Sequence, residues 1–587
     1  MQKKIVQLVL FCPFLLYGEI IPLERRMEWH PGLPGEFPIP TSTVNIRDYG
    51  AKGDGISDDF NAFMMAIQDF FSDNAVLFIP RGTYLIRGTL FIDKRIVLQG
   101  EGPDKTVLLF DLQGQHQNCI EISKYDRGDW IPISSGIEKG SRWLVAESPW
   151  AFRPGDFVEI QQKNDSSLFY FPRYWNEYWS QNAVGLIRQV ESIRGDTIFL
   201  TEALPIEFRS ELYPVIRRQG FVTYAGIQHL GMKRLDQGSG HTILIKNSAF
   251  CLIQDIESQM AGSSHVFLET AYRCEIRDSY FHHAHQYHNG DLGHGVVCSF
   301  HATNNLIENN IFKSLSHAMM LHLGASGNVF GYNFSTEPLV LDTVTFADVA
   351  FHGFYPFCNL FESNVVEEIA ISETGGPSGP GNTFFRNRVG SSGIFISRGS
   401  HGQNLVANVV SNNAPIVIDS AAYDTFVHAN RIQGRVQWDS SISDRTLPAS
   451  YYLSKPPAFW EDSPWPLFGP DVEGEYLLPA ERRYRQITGF SFPSSRTRAC
   501  ANGLKLELYP NPFNAETVIQ YTVPFSGKVM LNLIDIKGRR VMQIVEGNKI
   551  QGIYVERVDA RFLSSGLYFL VLQMDGFVAK KKALVIK

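Results

Sequence analysis

The sequence predicts an all-β solenoid followed by a separate small β domain, and three observations carry that prediction. Asp255, Asp278, Asn310, Asn333, Asn364, Asn387, Asn408 and Asn430 mark eight similar segments, with successive gaps of 23, 32, 23, 31, 23, 21 and 22 residues. The text around the markers repeats: C-L-I-Q-D-I at 251–256, C-E-I-R-D-S at 274–279, L-I-E-N-N-I at 306–311, V-F-G-Y-N-F at 329–334 and L-F-E-S-N-V at 360–365. A β-rich unit this short cannot bury its apolar face alone and must stack on its neighbours. Asn and Asp suit the turn, because they tolerate the left-handed region and hydrogen-bond nearby backbone. The 32- and 31-residue gaps read as ordinary coils carrying insertions. Second, 44% hydrophobic and 13% aromatic residues with 49 glycines describe a folded, β-rich chain rather than a disordered one. Third, the rhythm stops after Asn430, and residues 503–587 carry a different text. The net charge of −7 over 587 residues gives no case for a nucleic-acid partner.

In chain order, Lys3 and Lys4 precede an apolar stretch at 5–17, with Gly18 as a cleavage point, so residues 1–18 read as an export signal. That stretch is too short for a membrane span. Residues 44–114 open the solenoid. Within them, Ala62, Phe63, Ala66, Ile67 and Phe70 fall at helical spacing, and Asp58 and Asp59 stand where an N-cap and the helix dipole favour acids. The paired aspartates are therefore expected to cap rather than to catalyse. Residues 115–235 break the rhythm and read as an inserted β module. Its segment 169–179 is crowded with aromatics, including Tyr174, Trp175 and Trp179, which either bind the apolar faces of sugars or plug the insertion onto the solenoid. Coils fill 236–440, with Cys251 and Cys274 expected as stacked core thiols. Residues 441–502, rich in Pro, Ser and aromatics, wrap the last coil and become a linker.

The motif G-A-x-G-D-G-x-x-D-D at 50–59 followed by P-x-G-x-Y at 80–84 resembles the opening of the pectate-lyase superfamily, the rhamnogalacturonase- and epimerase-like proteins, with Phe60 in place of the family's usual Thr. The resemblance implies a right-handed parallel β-helix with an N-terminal capping helix and a polysaccharide substrate lying in its groove. The tail, from L-Y-P-N-P-F at 508–513 through L-S-S-G-L-Y-F at 563–569 to K-K-K-A-L-V-I-K at 580–587, resembles the C-terminal sorting domain of the type IX secretion system. That implies a small β-sandwich, the secretion machinery as a partner, and a secreted or surface-attached protein. Gly293-His294-Gly295 resembles the G-H-G strand of polygalacturonases. The places of that family's preceding aspartate strands are held by His241 and His265, so its chemistry does not transfer.

Coil-to-coil alignment puts His241, His265, His294, His317 and Asp348 in one column at the strand starts. A second column at the strand ends holds Glu269, His352, Glu373, Arg398 and Asp419. Nine of the 16 histidines fall between 265 and 322; four of these, His282, His283, His285 and His288, come with Asp291 from the first insertion. A satisfied structural ladder, a substrate or catalytic array, and a metal site all remain open for these histidines, although no metal-binding spacing is present and no cofactor is predicted. Two chemistries follow. A lyase or epimerase would neutralise a uronate with Arg398 or Lys246 and abstract a proton with a histidine. A hydrolase would pair Glu373 with Asp419 or Asp348. The expected catalytic set is His294, His317, His352, Asp348, Glu373, Arg398 and Asp419. The expected substrate-binding set is His241, His265, His285, Tyr174, Trp175 and Trp179. The expected function is that of a monomeric carbohydrate-active lyase or hydrolase on a pectin- or uronan-like polymer; the alternative is a non-catalytic glycan-binding or adhesive surface protein.

Overall fold

The computed structural model describes residues 20–69, 74–168, 177–287, 292–341, 344–371, 376–397, 399–411, 414–461, 463–487, 505–523, 527–535, 539–549, 552–574 and 577–587. The chain divides into two compact units, Met1–Phe490 and Ser491–Lys587. The predicted export segment 1–18 lies outside the described residues.

The first unit is a parallel β-helix whose strands pair coil on coil. Ile243, Val266, Val296, Met319, Val349, Ile369, Ile394 and Ile416 form one register column, and Ile245, Leu268, Cys298, Leu321, Phe351, Ile371 and Ile396 another. Their branched and aromatic side chains stack inward and exclude water along the solenoid axis. On a second face, Phe330, Phe361 and Phe384 stack with ring centroids 4.6 and 5.3 Å apart. Cys251, Cys274 and Cys298 are buried, unbridged thiols in the same core.

The turn markers divide into two sets. Asn310, Asn333, Asn364, Asn387, Asn408 and Asn430 form a buried ladder: from Asn333 onward, each side-chain carbonyl accepts from the amide side chain and backbone N–H of the preceding coil's Asn, at 2.9–3.1 Å. The left-handed backbone expected at these asparagines belongs instead to the residue before each, Asn309, Tyr332, Ser363, Arg386, Ala407 and Ala429. Asp255 and Asp278 do take positive φ, so they align with Asn309, one residue out of the ladder. Asn is thus selected for its paired amide donor and acceptor in a buried row. A second ladder, Asn305, Asn328, Asn359, Asn382 and Gln403, runs parallel to it.

The helix Phe60–Asp69 closes the first coil with Ala62, Phe63, Ala66 and Ile67 inward. Asp58 accepts from the N–H of Phe60, while Asp59 turns inward to hold the N–H groups of Lys52 and Gly53 at 2.6 and 3.0 Å. Both aspartates are structural. Between the strands Ile120–Ser123 and Val222–Thr223 the chain makes a closed antiparallel barrel from Ile131–Ser135, Trp143–Ala146, Phe157–Gln161, Gly185–Arg194, Thr197–Leu200 and Val215–Gln219. The barrel is joined to the β-helix through Glu159, whose buried carboxylate accepts from His301 Nδ1 at 2.7 Å and from Arg217 at 2.8 Å. Against the effect of burial, the hydrogen bond from His301 and the Arg217 guanidinium hold the Glu159 carboxyl below the ordinary carboxylate range. After the last coil, Tyr452, Leu467, Phe468 and the helix Pro479–Ile487 pack back along Ile311, Tyr332, Phe334 and Val365.

The second unit is a β-sandwich. Lys505–Tyr509, Glu516–Val523 and Gly552–Asp559 make one sheet; Arg540–Lys549, Gly527–Asp535, Gly566–Met574 and Phe577–Val585 make the other. Alternate residues such as Ile519, Tyr521, Leu531, Leu533 and Leu572 fill the space between them. Among the described residues no helix is long and apolar enough to cross a membrane.

Candidate functional site

One face of the β-helix gathers the predicted histidines. Residues between the two inward columns alternate to the outside, giving an outer row of Phe267, Val297, Met320 and Ala350 in successive coils. Val297, Met320 and Ala350 form a small apolar cluster of their own, apart from the solenoid core. On either side of that row stand the imidazoles. His294 and His317 are in register and stack at 5.2 Å. At the opposite strand ends, His322 and His352 are register partners, with ring centroids 6.3 Å apart. His352 closes the set: its Nε2 lies 3.1 Å from His317 Nε2, and its ring meets His294 edge-on at 6.1 Å. His317 Nδ1 donates to the carbonyl of Ala347 at 2.8 Å, and His294 Nδ1 is 3.1 Å from Ser316 Oγ.

Burial favours the neutral form of three of these imidazoles. It lowers the pKa of His317 and His322, the latter to about 4, and His352 falls well below the ordinary value through burial and then through the neighbouring His317, His322 and His294. His317, His322 and His352 nevertheless keep part of their surface open to solvent. Trp179, the last residue of the aromatic loop, packs edge-on against Phe354 at 5.0 Å and lies 6.0 Å from His322, with 48% of its surface exposed. Among the described residues no set of His, Cys, Asp or Glu is grouped to hold a metal ion.

The structure separates other members of the predicted set from this cluster. His265 stands one residue out of the column: Ser264, not His265, pairs with His294. Its ring is fully buried between Ser258 Oγ at 2.7 Å and the carbonyl of His283 at 3.1 Å, so it is a core histidine with its pKa lowered to about 3. Asp348 is displaced in the same way, because Met319 pairs with Val349. It is buried, accepting from Ser335 Oγ and the Glu367 N–H at 2.5 Å each, and burial raises its pKa to about 6. A one-residue slip moves a side chain to the other face of a strand, which is why coil alignment by turn markers misplaced both.

His241 keeps its column, stacked on Phe267 at 4.2 Å, but lies two coils from His294. His285 is tied to the Arg234 carbonyl at 3.1 Å, away from the cluster. Glu269 pairs with Lys246 at 2.7 Å, so the lysine proposed to neutralise a uronate already has an internal anion. Asp419 accepts from the Ala421 N–H within its own turn and is in register with Ser397, about 14 Å in coil spacing from His352. Glu373, Arg398, Tyr174, Trp175, His288 and Asp291 lie outside the described residues.

Two residues escaped sequence reasoning. His322 follows His317 by five positions and would have emerged from aligning strand ends by hydrogen-bond register. Glu368 pairs one coil beyond Asp348, half-buried, with its pKa raised to about 7 by burial, Asp348 and Glu367. Only the fold reveals that pair.

Residues 43–145 match the family described as rhamnogalacturonase A/epimerase, pectate lyase-like, and residues 507–587 match the secretion system C-terminal sorting domain. The chain therefore combines a pectate-lyase-like β-helix with a type IX sorting domain that marks it for secretion and cell-surface attachment. A polygalacturonase of Arabidopsis thaliana is 34% identical over 118 residues, which is 19% of this chain and 25% of that protein. A glucan 1,3-beta-glucosidase of Cochliobolus carbonum is 39% identical over 99 residues, 15% of this chain and 13% of that protein. The chain thus spans a quarter or less of the length of these relatives. Among solved structures, a tailspike of Pseudomonas phage phi297 superposes with a TM-score of 0.48 at 12% identity, covering 87% of this chain and 96% of that one.

Proposed function

We propose that the protein is an exported enzyme that cleaves a pectin- or uronan-like polysaccharide lying along the histidine face of its β-helix. The observation that carries this reading is the convergence of His294, His317, His322 and His352 from three successive coils on one surface, bordered by the half-exposed Trp179. Neutral imidazole is the side chain suited to taking a proton at neutral pH, and an exposed indole suits the apolar face of a sugar ring. The chemistry this favours is β-elimination. A histidine takes the proton beside the uronate carboxyl, the electron pair forms a carbon–carbon double bond, the glycosidic C–O bond breaks, and the leaving oxygen is protonated from solvent.

Hydrolysis is the second reading. It is supported by the names of the partial relatives and by Glu368, which holds its proton to about pH 7 and so can supply an acid. Incubation with a panel of acidic and neutral polysaccharides separates the cases. Elimination produces the ultraviolet absorbance of an unsaturated uronate, whereas hydrolysis produces new reducing ends without it. Binding with neither product would replace both readings with a glycan-binding surface protein.

A further inference from the structure

The histidine face contains a hydrogen-bond chain whose direction is determined by its first acceptor. Ala347 ends the second long insertion, and its carbonyl can only accept, so the contact at 2.8 Å places a proton on His317 Nδ1. Neutral His317 then offers only a lone pair at Nε2. The neighbouring Nε2 of His352, 3.1 Å away, must therefore be the donor. A neutral imidazole carries one proton, which leaves His352 Nδ1 as a lone pair. Burial favours the neutral form of both rings. Among the described residues, the contact with His317 is the hydrogen bond of the His352 ring, and the residue is not fully buried.

We infer that His352 is the groove's proton acceptor, acting through Nδ1, and that His317 is a positioning residue that fixes the tautomer of His352 by relaying the Ala347 carbonyl. The inference rests on the proposed enzymatic reading for its chemistry but not for its structural half. In the elimination step, Nδ1 takes the proton from the sugar carbon and His352 becomes an imidazolium. The electron pair left on carbon enters the new double bond as the glycosidic oxygen departs. His352 then returns its proton to solvent, and the Nε2–H to His317 is unchanged throughout. The second insertion acquires a purpose in this arrangement: it delivers one carbonyl to the far nitrogen of the relay. The Phe346 ring, just before that carbonyl in the chain, lies 5.9 Å from the His317 ring.

The test uses the full chain labelled with 15N-histidine, with His352 assigned by the signal lost in His352→Asn. Long-range proton–nitrogen correlation at neutral pH should find Nδ1 of His352 unprotonated and Nε2 protonated. In His317→Leu, the His352 nitrogens should move toward a tautomer average. His317→Gln, whose amide oxygen can still accept from Nε2–H, should restore the native pattern and serves as the control if the leucine variant folds poorly. A wild-type spectrum with the proton on Nδ1, or a tautomer indifferent to His317→Leu, overturns the inference. On a polysaccharide that the protein cleaves, His352→Asn should lower kcat by about 10²–10⁴-fold. His317→Leu should lower kcat by at least about tenfold, with KM changed by less than about twofold and an altered pH profile, as expected of a residue that acts through another. Equal activity of His352→Asn and wild type would also overturn it. Absence of any cleaved polysaccharide would defeat the proposed function, while the spectrum would still decide the tautomer.

Discussion

Glu308 tests the electrostatics of the fold where the chain wraps back over the β-helix. It projects from the strand Leu306–Glu308 and is 7% exposed, and Tyr452 Oη donates to its Oε1 at 2.7 Å. Its register partner in the next coil is Gly331, where a side chain would collide with the same tyrosine hydroxyl. Burial raises the Glu308 pKa from 4.5 to about 8, outweighing the tyrosine hydrogen bond. A carboxyl whose pKa is raised on folding binds more protons folded than unfolded between those two values. Stability is therefore highest below about pH 4.5 and falls as pH climbs toward 8. One pKa unit corresponds to about 1.4 kcal/mol, so the cost at pH 7 has an upper limit of roughly 3 kcal/mol. Glu308→Gln keeps the shape and the acceptor while removing the ionisation. It should raise the unfolding midpoint of the β-helix at pH 8 by roughly 2–3 °C, given about 1 kcal/mol/K of unfolding entropy for a unit of this length. At pH 4.5 the gain should vanish. Calorimetry of the two proteins at both pH values is the assay. A midpoint lowered at pH 8, or a gain equal at both pH values, would refute the account of Glu308 as a carboxyl kept neutral by burial.

Other consequences can be checked independently. Asn364→Ala removes a residue that accepts from Asn333 and donates to Asn387 and the Phe330 carbonyl, leaving several buried groups unpaired; denaturant titration should show a loss of about 3–5 kcal/mol. Glu159→Gln should destabilise the barrel-bearing unit at pH 7, because Arg217 and His301 lose their anion. Since the Glu159 pKa is lowered on folding, the wild-type advantage is present above the ordinary carboxylate range and shrinks as pH falls through the depressed value, which unfolding measured down the acid range would show. Trp179→Ala removes an exposed ring beside His322; isothermal titration with a bound oligosaccharide should show affinity weakened several-fold, corresponding to about 1 kcal/mol.

The repeat made the solenoid legible because inward apolar columns and buried asparagines must recur at each coil. The small sandwich was legible from its terminal motifs. The histidine face was legible in part. His294, His317 and His352 came from coil alignment, and Trp179 from the aromatic cluster. What failed was register at the level of one residue. Asp255 and Asp278 belong to the left-handed position beside the asparagine ladder, and the slip placed His265 and Asp348 on the groove when they lie inside the structure. Which carbonyl meets which imidazole, as Ala347 meets His317, depends on the path of an insertion and has no signature in residue spacing. The Glu368–Asp348 pair was hidden for the same reason, because its partners come from successive coils and their register is set by the pairing of Val349 with Ile369.

The central claim is that the histidine face performs chemistry on a polysaccharide, and the direct test compares product formation and binding in wild type and His352→Asn on an acidic polysaccharide panel. The account predicts unsaturated uronate product from wild type, a loss of about 10²–10⁴-fold in rate for the variant, and retained binding and folding. Cleavage by His352→Asn at the wild-type rate would contradict it.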